Sequence, residues 1–351
     1  MGDEKKITKK YFEETKAKAE KGNKIAQFFL GMMYDNGEGV LEDDREAVKW
    51  YRKAADQGYA EAQYNLGNMY ANGEGVAKDF KESVKWCRKA AEKGHVKAQY
   101  NLGKMYYFGD GVEKDFKEAA KWWRKAAEKG DAQAQNGLGG MYRKGQGVKK
   151  DFKEAAKWWR KAAEQGDDQA QYNLGVRYAK GEGVPLDDKK AVKWYQKAAD
   201  QGLAEAQFYL GWMYYRGQGV PQDFKEAFKW YQKSADQGFA DGQYNLGSMY
   251  KKGEGVEQNT KEAFKWFRKA AERGDTKAQF NLGVMYYIGK GVEQDNVAAY
   301  AWLNIAASNG LQNAQKGLLQ VVKEMTPAQI TEAEELVKEM VKKNPKQIKK
   351  P

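Results

Sequence analysis

Few residues in this chain are of the kinds that make or break bonds. Its 351 residues include one histidine, His95, and one cysteine, Cys87. An imidazole can act as general base and a thiol as nucleophile, but each needs an activating neighbour within hydrogen-bond reach. With no second histidine and no cysteine cluster, zinc and haem lack their usual ligands. His95 follows a glycine, Gly94, and reads as a surface turn residue. Ser248-Met-Tyr-Lys251 has the Ser-x-x-Lys spacing in which lysine can activate serine, yet the companion motifs are missing. Gly-x-Gly pairs such as Gly73-Glu-Gly75 would cradle a phosphate only after a strand, and with a third glycine before a helix. Asp and Glu are plentiful enough to supply a base, so their placement decides whether they do. On these residues the chain is expected to have no catalytic residue, no metal ligand and no cofactor, and not to be an enzyme.

A period places all of them. Tryptophan stands at Trp50, Trp86, Trp122, Trp158, Trp194, Trp230, Trp266 and Trp302, and glycine at Gly31, Gly67, Gly103, Gly139, Gly175, Gly211, Gly247 and Gly283, every 36 residues. Strict short periods mark bodies built from one supersecondary unit, each packing on its neighbours. The carboxylates fall into repeat-locked positions, which points to structural work rather than catalysis.

One unit shows what the period encodes. Ala62, Leu66 and Tyr70 share one face of a helix over Ala60–Asn72, and Gly73 and Gly75 then break it by allowing positive φ. Asp79 opens a second helix, with Glu82 three residues on in capping-box spacing. Asp43/Glu46, Asp115/Glu118, Asp151/Glu154, Asp223/Glu226 and Asn259/Glu262 repeat that signal. Ser83, Trp86 and Ala90 line one face, and Gly94 closes the helix. The Gly-x-Gly pairs thus follow helices, against a phosphate cradle. Gly67, inside a helix, costs about 1 kcal/mol in propensity, so close helix approach is its expected reason. Cys87 occupies the slot of Tyr51, Trp123, Trp159, Tyr195, Tyr231, Phe267 and Leu303, and reads as a buried small apolar residue.

The pattern Ala-Gln-(Tyr/Phe)-x-Leu-Gly-x-Met-Tyr, Gly-x-Gly-Val, Asp, Ala-x-x-Trp, Lys-Ala-Ala, Gly resembles the Sel-one-like repeats, relatives of the tetratricopeptide repeats. The resemblance implies an all-α, α/α superhelical solenoid of helix-turn-helix repeats, whose first helices line a concave surface. Eight units are expected over 23–310 (23–58, 59–94, 95–130, 131–166, 167–202, 203–238, 239–274 and 275–310). An N-terminal capping helix is expected over 1–22, resembling a lone second helix from residue 7, with C-terminal capping helices over 311–343 and a basic tail over 344–351. Thr326-Pro327-Ala-Gln329 signals the start of the last helix, and the closing stretch resembles that of bacterial members. Cysteine-rich members are linked to penicillin binding, but the paired cysteines are missing here and that activity does not carry over.

The net charge of +12 arises from basic residues mixed with 49 acidic ones, so no specific nucleic-acid partner is expected. Lys342, Lys343, Lys346, Lys349 and Lys350 gather at the end, as a solvated terminus or as an anion-binding or membrane-surface tail. No apolar run suits a transmembrane segment, and one cysteine forms no internal disulfide. A soluble bacterial protein is expected, periplasmic or secreted after loss of a leader, or cytoplasmic. The oligomeric state stays open, with a monomer as the expectation.

What remains is recognition of a protein or peptide through variable positions on the first helices. The slot after Gly67 holds Met32, Asn68, Lys104, Gly140, Val176, Trp212, Ser248 and Val284; the slots after Tyr70 include Tyr107, Phe108, Arg143, Lys144, Tyr215, Arg216, Lys251, Lys252, Tyr287 and Ile288. Aromatics with arginine or lysine anchor interfaces through desolvated area and directional charge, and Trp212 with Tyr215 and Arg216 is the foremost candidate. A ladder of Phe28, Tyr64, Tyr100, Tyr172, Phe208, Tyr244 and Phe280, broken by Asn136, serves either packing or ligand contact. The partner-binding candidates are therefore Trp212, Tyr215, Arg216, Tyr107, Phe108, Lys104, Arg143, Lys144, Tyr172, Phe208, Tyr244, Lys251 and Tyr287. The expected function is a protein-interaction scaffold or adaptor. Alternatives are a peptidoglycan- or glycan-binding envelope protein, an uncharacterised hydrolase, or a designed or consensus repeat with no natural ligand. The last arises because Asp115–Lys129 and Asp151–Gln165 differ only at their final residue.

Overall fold

The computed structural model describes residues 2–348; Lys349 and Lys350 of the basic tail lie outside them. Every regular element among the described residues is helical. The chain divides into two compact units: one runs to Ala170 and includes Glu182–Val184, and the other comprises Gln171–Gly181 and Pro185 onward.

The first unit holds α1 (Gly2–Glu20), α2 (Lys24–Asn36), α3 (Asp44–Asp56), α4 (Ala60–Asn72), α5 (Phe80–Glu92), α6 (Val96–Phe108), α7 (Phe116–Glu128), α8 (Ala132–Lys144) and α9 (Phe152–Glu164). From α2 onward the even helices are first helices of hairpins and the odd ones second helices; each first helix packs on its hairpin partner, and α3, α5 and α7 pack also on the first helix that follows. α1 begins well before residue 7, and its buried Phe12 and Ala19 pack with Trp50 of α3.

The division falls within α10 (Asp168–Lys180). The second unit continues through α11 (Asp188–Asp200), α12 (Ala204–Arg216), α13 (Phe224–Asp236), α14 (Ala240–Lys252), α15 (Thr260–Glu272), α16 (Thr276–Ile288), α17 (Asn296–Ser308), α18 (Gln312–Val322) and α19 (Pro327–Lys343), then a 3-10 turn, Pro345–Gln347. α19 starts with both bonds of a capping box between Thr326 and Gln329. It packs on α17, and its Val337, Met340 and Val341 cover the cluster containing Phe267 and Trp302.

Repeated chemistry fixes each hairpin. Gly73 and Gly75 both take positive φ, at 83° and 63°. Gly75 has a further reason to be glycine: a Cβ there would strike the backbone of Asp44, in the preceding hairpin. Helix glycines sit against the ring slot of the paired second helix: a Cβ on Gly139 would lie 2.8 Å from Trp159, and one on Gly211 2.9 Å from Tyr231. Close approach is thus the reason for glycine inside these helices. Cys87 fills that slot in α5, fully buried, and burial pushes its thiol up to about 12.

Second helices open as the aspartates predict, but not with a capping box. Asp79 Oδ1 accepts from the amides of Lys81 and Glu82, at 2.8 and 3.1 Å. The reciprocal bond is not made, because the Asp79 amide already donates to the carbonyl of Tyr70 in the preceding helix, at 2.9 Å. Glu82 instead accepts from Lys85 and from Trp86 Nε1. The same amide-to-carbonyl link joins Asp115 to Tyr106 and Asp223 to Tyr214.

The Gln of Ala-Gln closes second helices, a role hydropathy does not reveal. Gln63, Gln99 and Gln135 are buried, and their Nε2 atoms donate at 3.0 Å to Ala55, Ala91 and Ala127 near the ends of α3, α5 and α7. Each adds a second donor to a carbonyl at the helix end that already accepts from the turn amide of Gly58, Gly94 or Gly130. His95 departs from the sequence reading: it is half-buried, stacks on Tyr64 with centroids 4.7 Å apart, and caps α6 by accepting from the Ala98 amide at 3.1 Å.

Candidate functional site

The predicted site residues fall in both units. In the first, Lys104, Arg143 and Lys144 are exposed. Tyr107 is half-buried against Trp123 and Phe116, each 5.2 Å away by ring centroid, and its hydroxyl donates to Gln146 at 3.1 Å. Phe108 is 58% exposed.

In the second unit, five candidates come together. Phe208, Trp212, Tyr215 and Arg216 of α12 line an open hollow of about 690 Å³ with Tyr244 of α14, and Lys277 of α16 and the turn before α18 complete it. Trp212 is half-buried, packed on the cluster that contains Tyr231 and Leu246. Phe208 packs on Tyr231 with centroids 5.7 Å apart, as Tyr244 does on Phe267 at 5.7 Å. These two ladder rings therefore pack within their hairpins and also line the hollow.

Charge sits at both ends of the hollow. Arg216 and Lys252 stand at the C-terminal ends of α12 and α14, while Asp241 lies in the first turn of α14 and Asp275 caps α16. Each sign suits the helix dipole beside it. Tyr215 donates to Glu254 at 2.8 Å and accepts from Lys252 at 3.1 Å. The hydrogen bond to Tyr215, aided by Glu254, holds the Lys252 ammonium above the usual lysine range. Arg216 is exposed and makes no hydrogen bond or ion pair among the described residues.

The other candidates of this unit lie elsewhere. Lys251 is exposed and donates to Asn281 at 3.0 Å. Tyr172 packs on Tyr195 and Tyr209, at 6.0 and 5.7 Å, and burial raises its hydroxyl above the usual tyrosine range. Tyr287 donates to Glu324 at 2.5 Å. Asp241, Lys252 and Lys277 join the site; Lys252 occupies one of the variable slots after the repeat tyrosine, whereas Asp241 and Lys277 lie in first turns, away from those slots. Ser248 also lines the hollow, whereas Lys251, its partner in the Ser-x-x-Lys spacing, is not among the lining residues. Among the described residues, no group of three or more His, Cys, Asp or Glu could hold a metal ion, and no helix is long and apolar enough to cross a membrane.

Consecutive hairpins with rigid glycine seams and a variable face define an α/α repeat solenoid of the interaction-scaffold class. The chain belongs to the Sel1 repeat family, which it matches at 24–59, 60–95, 96–131, 132–167, 168–203, 204–239, 240–275 and 276–311. It is similar to the solved structure of a Sel1 repeat protein from Oxalobacter formigenes, with 34% identity over 89% of this chain and 90% of that one and a TM-score of 0.70. It is also similar to a protective antigen of uropathogenic Escherichia coli, with 32% identity over 96% of both chains and a TM-score of 0.61. No curated protein matches the sequence.

Proposed function

We propose that the protein is a non-catalytic adaptor that holds an extended segment of a protein partner in the hollow framed by α12, α14 and α16. The observation that carries this reading is the aromatic wall of Phe208, Trp212, Tyr215 and Tyr244 beside an exposed, unpartnered Arg216. Such residues supply large contact area and bidentate hydrogen bonding. The family fold, generally used for protein–protein interaction, supports it. Capture of partners by the wild type and by Trp212→Ala/Tyr215→Ala tests it: the variant loses a specific protein while keeping its helical circular dichroism. Equal recovery by both would sink the reading at this site. Turnover of any member of an ester and β-lactam panel would overturn the non-catalytic assignment.

A further inference from the structure

In two hairpins a pair of aromatic rings fills the place where the first helix meets the start of the second. Tyr107 packs edge-on against Phe116 with centroids 5.2 Å apart, and Tyr215 packs on Phe224 at 5.2 Å. In the hairpin of α10 and α11 both rings are missing, as they are at Asp35/Asp44 and Lys251/Thr260, but here one of the equivalent residues is as small as alanine: Ala179, with Asp188. The space is not filled from elsewhere. A hollow of about 260 Å³ remains, lined chiefly by Val176, Ala179, Leu186, Tyr195, Tyr209 and Trp212, all of the second unit.

Two neighbouring substitutions make that hollow receptive. Leu186 stands where other hairpins carry Lys114 or Lys150, whose ammonium groups lie over Phe116 and Phe152 at 4.8 and 4.9 Å. Leu186 has no such ring to cover and is 66% exposed at the mouth. Tyr209 replaces the asparagine found at Asn101 and Asn245, and stacks on Tyr195 with centroids 5.6 Å apart. Together they turn a gap in the packing into an apolar socket open to solvent. Trp212 lines both this socket and the larger hollow, so the two share a wall.

We propose that the socket takes an aromatic side chain from an extended acidic segment of a partner protein, the ring standing where the Tyr–Phe pair is lost. This rests on the adaptor reading and names the chemistry of its ligand. The acidic character follows from charge. Arg216 lies one turn beyond Trp212 on the same face of α12 and is unpaired, and Lys180 lines the socket itself. Asp188 also lines it, which disfavours an anion inside and favours an uncharged ring with carboxylates on either side.

Fluorescein-labelled Asp-Glu-Phe-Glu-Asp and its counterpart with alanine in place of phenylalanine are the probes, titrated against the full chain and read by anisotropy. The phenylalanine peptide binds, and the alanine peptide binds at least about tenfold more weakly. Ala179→Tyr/Asp188→Phe rebuilds the internal pair and weakens phenylalanine-peptide binding by a similar factor. Leu186→Lys, at an exposed position that tolerates lysine in sister hairpins, weakens it without changing the melting temperature, so loss of fold is not the cause. Arg216→Glu weakens it further at low salt than at high salt. Equal binding of the two peptides, no binding to the wild type, or full binding to the refilled variant overturns the inference. If the refilled variant also keeps a captured partner that Trp212→Ala/Tyr215→Ala loses, the socket assignment fails while the adaptor reading stands.

Discussion

Gly103 and Gly140 both lie inside first helices, yet alanine at the two should have opposite effects. A Cβ on Gly103 meets the Trp123 indole, which is held by its Nε1 donating to the Tyr100 carbonyl at 3.0 Å and cannot retreat freely. Gly103→Ala is expected to lower stability by about 1–3 kcal/mol through overpacking. Nothing lies within 4 Å of a Cβ on Gly140, so Gly140→Ala raises stability by about 1 kcal/mol. Urea midpoints at constant m-value measure both. His95 gives a pH dependence. It caps α6 only while Nδ1 is unprotonated, and burial holds its pKa below the usual 6.5, with Lys97 acting in the same direction and Glu61 against it. A depressed folded pKa means the stabilisation is present above 6.5 and is lost as pH falls through the folded value. The melting temperature of wild type should therefore fall relative to His95→Asn between neutral and mildly acidic pH. A constant difference would show that the imidazole cap contributes nothing.

At the scale of a helix, the caps separate two accounts of the same motif. If Asp115 and Glu118 formed a reciprocal box, losing either would cost alike. Asp115 accepts from two amides, whereas Glu118 accepts only from Lys121 and Trp122 Nε1. Asp115→Ala should therefore cost about 1 kcal/mol, and Glu118→Ala about half that or less, as thermal unfolding would report. Gln99→Leu removes one of the two donors to the Ala91 carbonyl, the Gly94 amide being the other, and should cost about 1 kcal/mol. Helix extents, cap residues and the seam glycines were legible in the sequence, because propensity, hydropathy and φ preference act within a few residues. The targets of Gln99 and of the Asp115 amide were not, since they depend on which carbonyls two packed helices leave facing each other. Trp212, Tyr215 and Arg216 could be picked out by residue type and slot. The socket beside them could not: Ala179 and Asp188 look like ordinary variation until they are set against Tyr107/Phe116 and Tyr215/Phe224, whose rings fill the same place.

For the molecule as a whole, stability is a sum over neighbouring hairpins, and the ends matter most. α19 covers the last of them with Val337, Met340 and Val341. Ending the chain before Thr326 should cost on the order of 3 kcal/mol from those side chains alone, seen as a lower melting temperature and greater binding of an apolar dye. An unchanged melting temperature would show that α19 covers nothing of consequence. The link from Asp79 back to Tyr70, and the contact of Gly75 with the preceding hairpin, reach beyond the loop that carries them. That loop is tied at its far end to the helix before it and at its middle to the neighbouring copy, so its length acts as a gauge. One residue more or fewer would break both ties at once. Such a chain can change length without penalty only by gaining or losing a complete hairpin, and the near-identity of Asp115–Lys129 with Asp151–Gln165 is what such a whole-copy step would leave behind.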